Sequence, residues 1–296
     1  MLSSIASVFT GNKSSAKDAR VPLEEEDPQA GELPPELLVM IFGFLELTDL
    51  TRCSAVCRHW HALSQDDQLW KVVFYRWMEG RLAPFLSVTP DALHRVIATL
   101  RREEEEEHRA APQQQQQRTW KQTLTRQVCK PPRWDPHGKG SNMVLSDDEL
   151  SVELKEFMWQ SAHLLKRMSE GVHLYRFRVD RIKWMGIGVC TDATLMTTDI
   201  NGKCCNYWFN GCAQTSNSSL GKTRTGSLPE YGANDLLSVL VDVDKDEVHY
   251  AVNGELVEGA SGSDMAGNAS LKEEERPRPS LYLAVSLLES KVTVVA

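Results

Sequence analysis

The stretch from Leu37 to Leu45 constrains this chain most, because every residue in it except Gly43 is apolar. A helix that is apolar all round is normally buried on all sides. Pro34 and Pro35 precede it and suit a first helical turn, where a missing N–H costs nothing. Two more short helical patterns follow before Trp77, with Thr48 and Asp66 as candidate caps. Leu50, Cys53, Val56, Cys57 and Trp60 form the apolar stripe of the second. Leu69, Trp70, Val73, Phe74 and Trp77 form that of the third. A unit of roughly 45 residues buries too little surface to be stable unaided. Leu33–Trp77 therefore calls for a partner surface.

The rest of the chain bounds what that partner is. The 296 residues have room for about two domains. A net charge of −8 argues against nucleic acid, whose phosphates need a basic face. No run approaches the roughly 18 apolar residues of a membrane span. Residues 1–30 read as a disordered tail; their Ser-rich start, with no acidic residue before Asp18, leaves a mitochondrial presequence as the alternative. Seven cysteines without a secretion signal point to reduced thiols and a cytoplasmic and/or nuclear protein. No metal site is expected. Cys53 and Cys57 share a helical stripe from which His59 points away, and Cys204, Cys205 and Cys212 lack metal-ligand spacing.

Along the chain, residues 31–100 read as the three helices and a helical connector, with Leu93, Val96, Ile97 and Leu100 on one face. That face is expected to pack on the preceding helices. Arg101-Arg102, the glutamates 103 to 107 and the glutamines 113 to 117 form a low-complexity insert over 101–117, read as a solvated spacer. Trp120, Leu124 and Val128 mark a helical linker over 118–134, ended by Pro131-Pro132. From about 135 to 296 the period becomes that of strands. Residues 173–179, 185–189, 236–243 and 248–256 alternate or run apolar between turn signals, and two strands close the chain. Many short strands of this kind indicate an all-β sandwich. Residues 259–279 read as a disordered loop.

Leu33-Pro34-x-Glu36-Leu37-Leu38 with Ile41, Phe42 and Leu45, then Leu50, Cys53, Val56-Cys57-Arg58-x-Trp60 and Leu69-Trp70, resemble an F-box. That motif docks on the Skp-family adaptor of cullin-based (SCF-type) ubiquitin ligases. The resemblance implies adaptor contact through Leu33, Pro34, Leu37, Leu38, Ile41, Phe42, Leu45, Leu50, Val56 and Trp60. Through the adaptor it implies a cullin and a RING protein.

The second half is similar to a SPRY domain, a β-sandwich that binds proteins through loops. The matching residues are Leu145-Ser146 and the turn after them, Trp159, Gly171-x-His173-x-Tyr175-x-Phe177 and Ile187-Gly188-Val189. They continue with Asp242-Val243, Val248-x-Tyr250-x-x-Asn253-Gly254-Glu255 and Tyr282 to Leu287. Two positions depart from the family: Asn234 stands where glycine is usual before Asp235, and Leu283 where proline is usual. Asparagine tolerates positive φ, so the turn can survive. The resemblance places Trp208 beside the binding loops. Tyr207 in the same 201–219 segment, Asp192 and Tyr231 are the other candidate substrate-binding residues.

No catalytic constellation is present. Gly186-Ile187-Gly188 lacks the third glycine and the helix of a phosphate loop. No G-x-S-x-G or H-E-x-x-H occurs, and Cys204-Cys205 has only Lys203 beside it. The sequence thus reads as two domains, a small all-α F-box with a helical extension and an all-β SPRY-like sandwich. The implied role is a non-catalytic substrate-recognition subunit without cofactor, holding a target protein near chemistry done elsewhere. A non-degradative scaffold using the same two modules is the alternative.

Overall fold

A computed structural model of the chain describes residues 33–110, 118–190, 205–214, 228–260, 262–263 and 281–296. The described residues fall in two compact units, the first including Leu33 to Met78 and residues 118–130, the second including Glu79 to Ala110 and Pro131 to Ala296.

The first unit is helical. It holds α1 (Pro35–Phe42), α2 (Leu47–Cys53), α3 (Arg58–Leu63), most of α4 (Asp67–Leu82) and, further along the chain, α6 (Trp120–Cys129). Pro35 opens α1, and Asp66 accepts the Gln68 N–H at 2.7 Å as α4 begins. The second helical pattern is two helices rather than one. Cys57 adopts an extended backbone (φ −155°), which breaks the ladder, and its thiol accepts the Trp60 N–H at 3.4 Å to start α3. Thr48 is not a cap, because α2 starts one residue earlier, after Glu46.

Leu38 and Phe42 on α1 point inward with Leu50, Trp70, Val73 and Phe74, and Phe42 meets the Trp60 ring edge-on at 5.2 Å. Arg76 donates to the carbonyls of Gly43 and Leu45 and so closes the turn after α1. A capping box on Thr119 and Gln122 starts α6. Trp120 packs at 5.4 Å from Phe74 and 5.6 Å from Tyr75, and its N–H donates to Asp67 at 2.6 Å.

The second unit is a sandwich of two antiparallel sheets. Its strands are β1 (Trp134–Lys139), β2 (Val144–Leu145), β3 (Ser151–Leu154), β4 (Gln160–Met168), β5 (Val172–Arg181), β6 (Trp184–Cys190) and β7 (Cys205–Trp208). They continue with β8 (Ala213–Gln214), β9 (Leu236–Asp242), β10 (Glu247–Val252), β11 (Glu255–Leu256), β12 (Gly262–Ser263), β13 (Leu281–Leu288) and β14 (Ser290–Val295). One sheet runs β1-β4-β13-β6-β7-β8 and the other β11-β10-β9-β5-β14-β3-β2, with β12 beside β10. Alternate residues meet between the sheets. Tyr175, Phe177 and Val179 of β5 face Ile187, Leu283, Val285 and Leu287 of β6 and β13 in one core with Trp134. Asn234 takes φ 73° before β9, as the sequence departure requires.

Three expectations are corrected here. The face of the 93–100 helix is part of the second unit, not of the first. It belongs to α5 (Ala92–Ala110), which lies against β5, as the 3-10 turn Ala83–Phe85 lies against β10 and β11. Arg95 reaches the buried carboxylate of Asp242 with both guanidinium arms and Asp244 at 2.9 Å. Thr99 accepts the Val172 N–H at 3.0 Å, an approach open only because Gly171 (φ 81°) has no Cβ to meet its hydroxyl.

The second correction concerns the acidic run, whose start is not a solvated spacer, although Glu105 to Glu107 are exposed. α5 continues through it, Glu103 pairs with Lys166 at 2.8 Å, Glu104 is buried beside Arg101, and Arg102 meets Glu170 at 3.0 Å. Lys166 of the sandwich and Arg101 of the helix itself absorb charge that would otherwise repel along the helix. Third, Gly262 and Ser263 pair with Val248 and Glu247, so the 259–279 loop contains a short bridge. The tail 1–30, the glutamines 113 to 117 and most of that loop lie outside the described residues.

Candidate functional sites

Each unit presents an apolar surface that its own packing does not use. On the first unit it lies along α1. Leu33, Leu37, Met40, Ile41 and Phe44 are exposed, Met40 by 55% and Phe44 by 78%. Within α1, Leu37, Met40 and Ile41 share one helical face, away from the buried Leu38 and Phe42, while Leu33 precedes the helix and Phe44 follows it in the turn. Exposed Val72 of α4 lies beside the turn, its Cγ1 about one methyl contact (3.5 Å) from a Cβ built on Gly43. An all-apolar helix thus resolves into a core side and an open side.

The sequence-derived adaptor residues divide accordingly. Leu33, Pro34, Leu37, Ile41 and Val56 are exposed, and Leu45 and Trp60 are half-buried. Leu38, Phe42 and Leu50 are corrected to core residues, because they fill the space between α1 and its neighbours. Trp60 is committed to Phe42. Met40, Phe44 and Val72 are exposed apolar residues that the sequence reading does not name. The step of three from Leu37 to Met40 and from Ile41 to Phe44 is the signal that could have found the first two.

The sandwich assignments need a larger correction. Asp192 lies outside the described residues, as does Cys204. Tyr207, Trp208 and Tyr231 are all buried. The segment 205–208 is strand β7 rather than loop, and its alternation turns Tyr207 into the core, 5.2 Å from Tyr231 and 5.6 Å from Tyr250. Tyr207 donates to the Pro229 carbonyl, and Tyr231 to Met185 at 3.0 Å. Burial raises both phenol pKa values well above the ordinary range, so both stay neutral hydrogen-bond donors.

Trp208 faces the outer side of its sheet and is only 8% exposed. Its indole lies over Gly186 and meets Trp159 edge-on at 5.3 Å and 89°. Trp159 in turn meets Trp184 at 6.4 Å and 71°, and Trp184 meets Phe209 at 4.9 Å. In front of this foundation stand Phe157, 72% exposed, Met158, 44%, and Trp184, 42%. These residues come from the β3–β4 connection, the start of β6 and the end of β7, so they gather at one end of the sandwich.

The edge of this aromatic platform is already satisfied. Lys183 lies 4.9 Å from the Phe157 ring centre and pairs with Glu289 of the β13–β14 turn. Asn142 donates to Glu156 and, at 3.5 Å, to the Met158 sulfur. The Ser290 hydroxyl accepts the N–H groups of Lys183 at 2.9 Å and Trp184 at 3.2 Å, which fixes the strand start that carries Trp184. Nothing in this arrangement provides a nucleophile with a base; what it offers is binding area. Among the described residues, no group of His, Cys, Asp or Glu side chains has the geometry to hold a metal, and no helix is long and apolar enough to cross a membrane.

Residues 30–76 match the F-box-like family model. This segment is F-box-like. It is 31% identical over 67 residues to F-box/LRR-repeat protein 21 of Mus musculus, covering 23% of this chain and 15% of that protein. It is 34% identical over 73 residues to F-box/LRR-repeat protein 5 of Bos taurus, covering 24% of this chain and 10% of that protein. The matches therefore span a small fraction of these relatives. Among solved structures, the chain is similar to the SPRY domain of human HERC1, at 14% identity and a TM-score of 0.40, over 55% of this chain and 96% of that one. It is similar to the TRIM65 PSpry domain at 13% identity and a TM-score of 0.40, over 56% and 91%.

Proposed function

We propose that this chain is a substrate-recognition subunit of an SCF-type ubiquitin ligase. The F-box segment docks on a Skp-family adaptor, and the sandwich holds the protein to be modified. The observation that carries this reading is the open apolar face of α1, a row of large side chains in an F-box segment that the unit's own core leaves uncovered. A cullin and a RING protein enter through the adaptor, and the chain itself contributes proximity rather than chemistry. It works in the cytoplasm or nucleus, where its cysteines stay reduced.

Replacing Leu37 and Ile41 together by aspartate places two charges at the adaptor contact and leaves the core side of α1 intact. Co-purification with the adaptor then disappears while the thermal unfolding midpoint is unchanged; retained adaptor would overturn the docking assignment. A non-degradative scaffold differs in one readout, partner levels that do not respond to proteasome inhibition.

A further inference from the structure

We infer that Arg76 of α4 is a positioning residue of the adaptor contact, whose guanidinium holds the turn after α1 so that Phe44 stays outward. This rests on the reading of the F-box segment as the adaptor-docking unit. It adds which residue sets the geometry of the most exposed large apolar side chain described, Phe44 at 78%.

The last turn of α1 carries no basic residue, although the carbonyls there form the negative end of the helix dipole. Arg76 brings that charge from α4. One terminal nitrogen donates to the Gly43 carbonyl and the other to the Leu45 carbonyl, so the backbone is gripped on both sides of Phe44. The N–H groups of Gly43, Phe44 and Leu45 are held as well, by the carbonyls of Val39, Ile41 and Phe42 at 3.0, 3.0 and 3.1 Å. A planar guanidinium serves two acceptors at once in a fixed fork, which an ammonium does not. Val72 precedes Arg76 by one turn of α4 and is 55% exposed beside Gly43. One face of α4 therefore gives the open surface an apolar side chain and the cation that shapes it. A phenyl ring in water is driven toward any apolar surface in reach. Gripping the turn removes the backbone freedom that would carry Phe44 there, and it removes that ordering cost from association.

The test is a double-mutant cycle read on adaptor affinity. The full chain and the variants Arg76→Gln, Phe44→Ala and the two combined are titrated with a purified Skp-family adaptor by calorimetry, beside their thermal midpoints. Arg76→Gln lowers affinity about fivefold or more, whereas adding it to Phe44→Ala lowers affinity by less than about twofold, because the ring it positions is gone. Arg76→Lys keeps the charge without the fork and falls between the unvaried chain and Arg76→Gln. A merely structural role lowers affinity equally in both backgrounds, and that additive result would overturn the inference. So would full affinity in Arg76→Gln. If Arg76→Gln unfolds, Arg76→Lys takes its place in the cycle with the same outcomes. An unvaried chain that does not bind the adaptor overturns the ligase reading and this inference with it; binding with additive losses overturns this inference alone.

Discussion

A methyl group on Gly186 would stand 2.7 Å from Cε3 of the Trp208 indole. Backbone and ring are in contact there because no side chain intervenes; Trp159 meets that ring edge-on, and Trp184 meets Trp159 edge-on in turn. Gly186→Ala pushes the indole off β6. The expected cost is about 1–3 kcal/mol in urea unfolding, the range for inserting a methyl group into packed structure. An unchanged urea midpoint would mean that Trp208 is more mobile than its burial indicates.

The two sides of α1 predict opposite phenotypes. Phe42→Ala removes a buried ring and costs about 3–5 kcal/mol, with adaptor binding lost through unfolding. Phe44→Ala removes an exposed one, so the midpoint holds while adaptor affinity falls by about tenfold. Urea titration beside a pull-down separates them, and equal destabilisation by both would show that Phe44 packs within the chain.

Arg95 is the main tie between α5 and the sandwich. Asp242 is fully buried, and its hydrogen bonds to Arg95 hold the guanidinium pKa above its ordinary value, with Asp244 adding to the effect. Arg95→Met leaves the buried Asp242 carboxylate with the Lys245 N–H at 3.0 Å and the Lys245 ammonium at 3.9 Å in place of two guanidinium bonds, and costs about 3 kcal/mol. The double variant Arg95→Met with Asp242→Leu recovers part of that loss, because the buried carboxylate is removed together with its main partner. Thermal unfolding of the three proteins measures the coupling, and additive losses would deny it.

His173 makes folding sensitive to acid. Burial, reinforced by Lys166 and Arg102, pushes its pKa down to about 4, although Glu103 and the Glu170 carbonyl pull the other way. The unfolded chain then binds more protons than the folded one between about pH 6.5 and pH 4. The stabilisation is complete above about pH 6.5 and is lost as pH falls toward 4, by roughly 3 kcal/mol at most. His173→Gln removes that part of the slope. Unfolding curves between pH 7 and 4 (roughly the titration range of histidine) check this, and an unaltered slope would place the titration elsewhere.

Local rules left clear marks on this chain. Pro35 and Thr119 announce helix starts, and the alternation of β5, β9 and β10 announces which side chains face the core. Asn253-Gly254 marks the turn between β10 and β11, with positive φ at both residues. The F-box segment was legible because its apolar residues and prolines fall at fixed short spacings. The platform was less so. Phe157, Met158 and Trp159 are three large apolar residues in succession, and strand geometry cannot bury all three from one side. The family resemblance instead singles out Trp208, which the structure buries.

The amino-acid order by itself determined that there would be a greasy helical unit, then a two-faced β unit, because helix and strand periods are properties of neighbouring residues. It also determined that the first unit would need a partner, since its apolar content exceeds what so few residues can enclose. Tertiary structure decided which apolar residues stay outside. Phe42 and Phe44 are two positions apart and chemically identical, yet only the packing of Trp60 against one side of α1 buries the first and exposes the second. It also decided that Glu103 and Glu104 of the acidic helix would be paired by Lys166 and Arg101, and that Trp208 would be buried against Gly186 and Trp159. Burial and charge pairing are sums over residues far apart in sequence, so no local pattern could assign them.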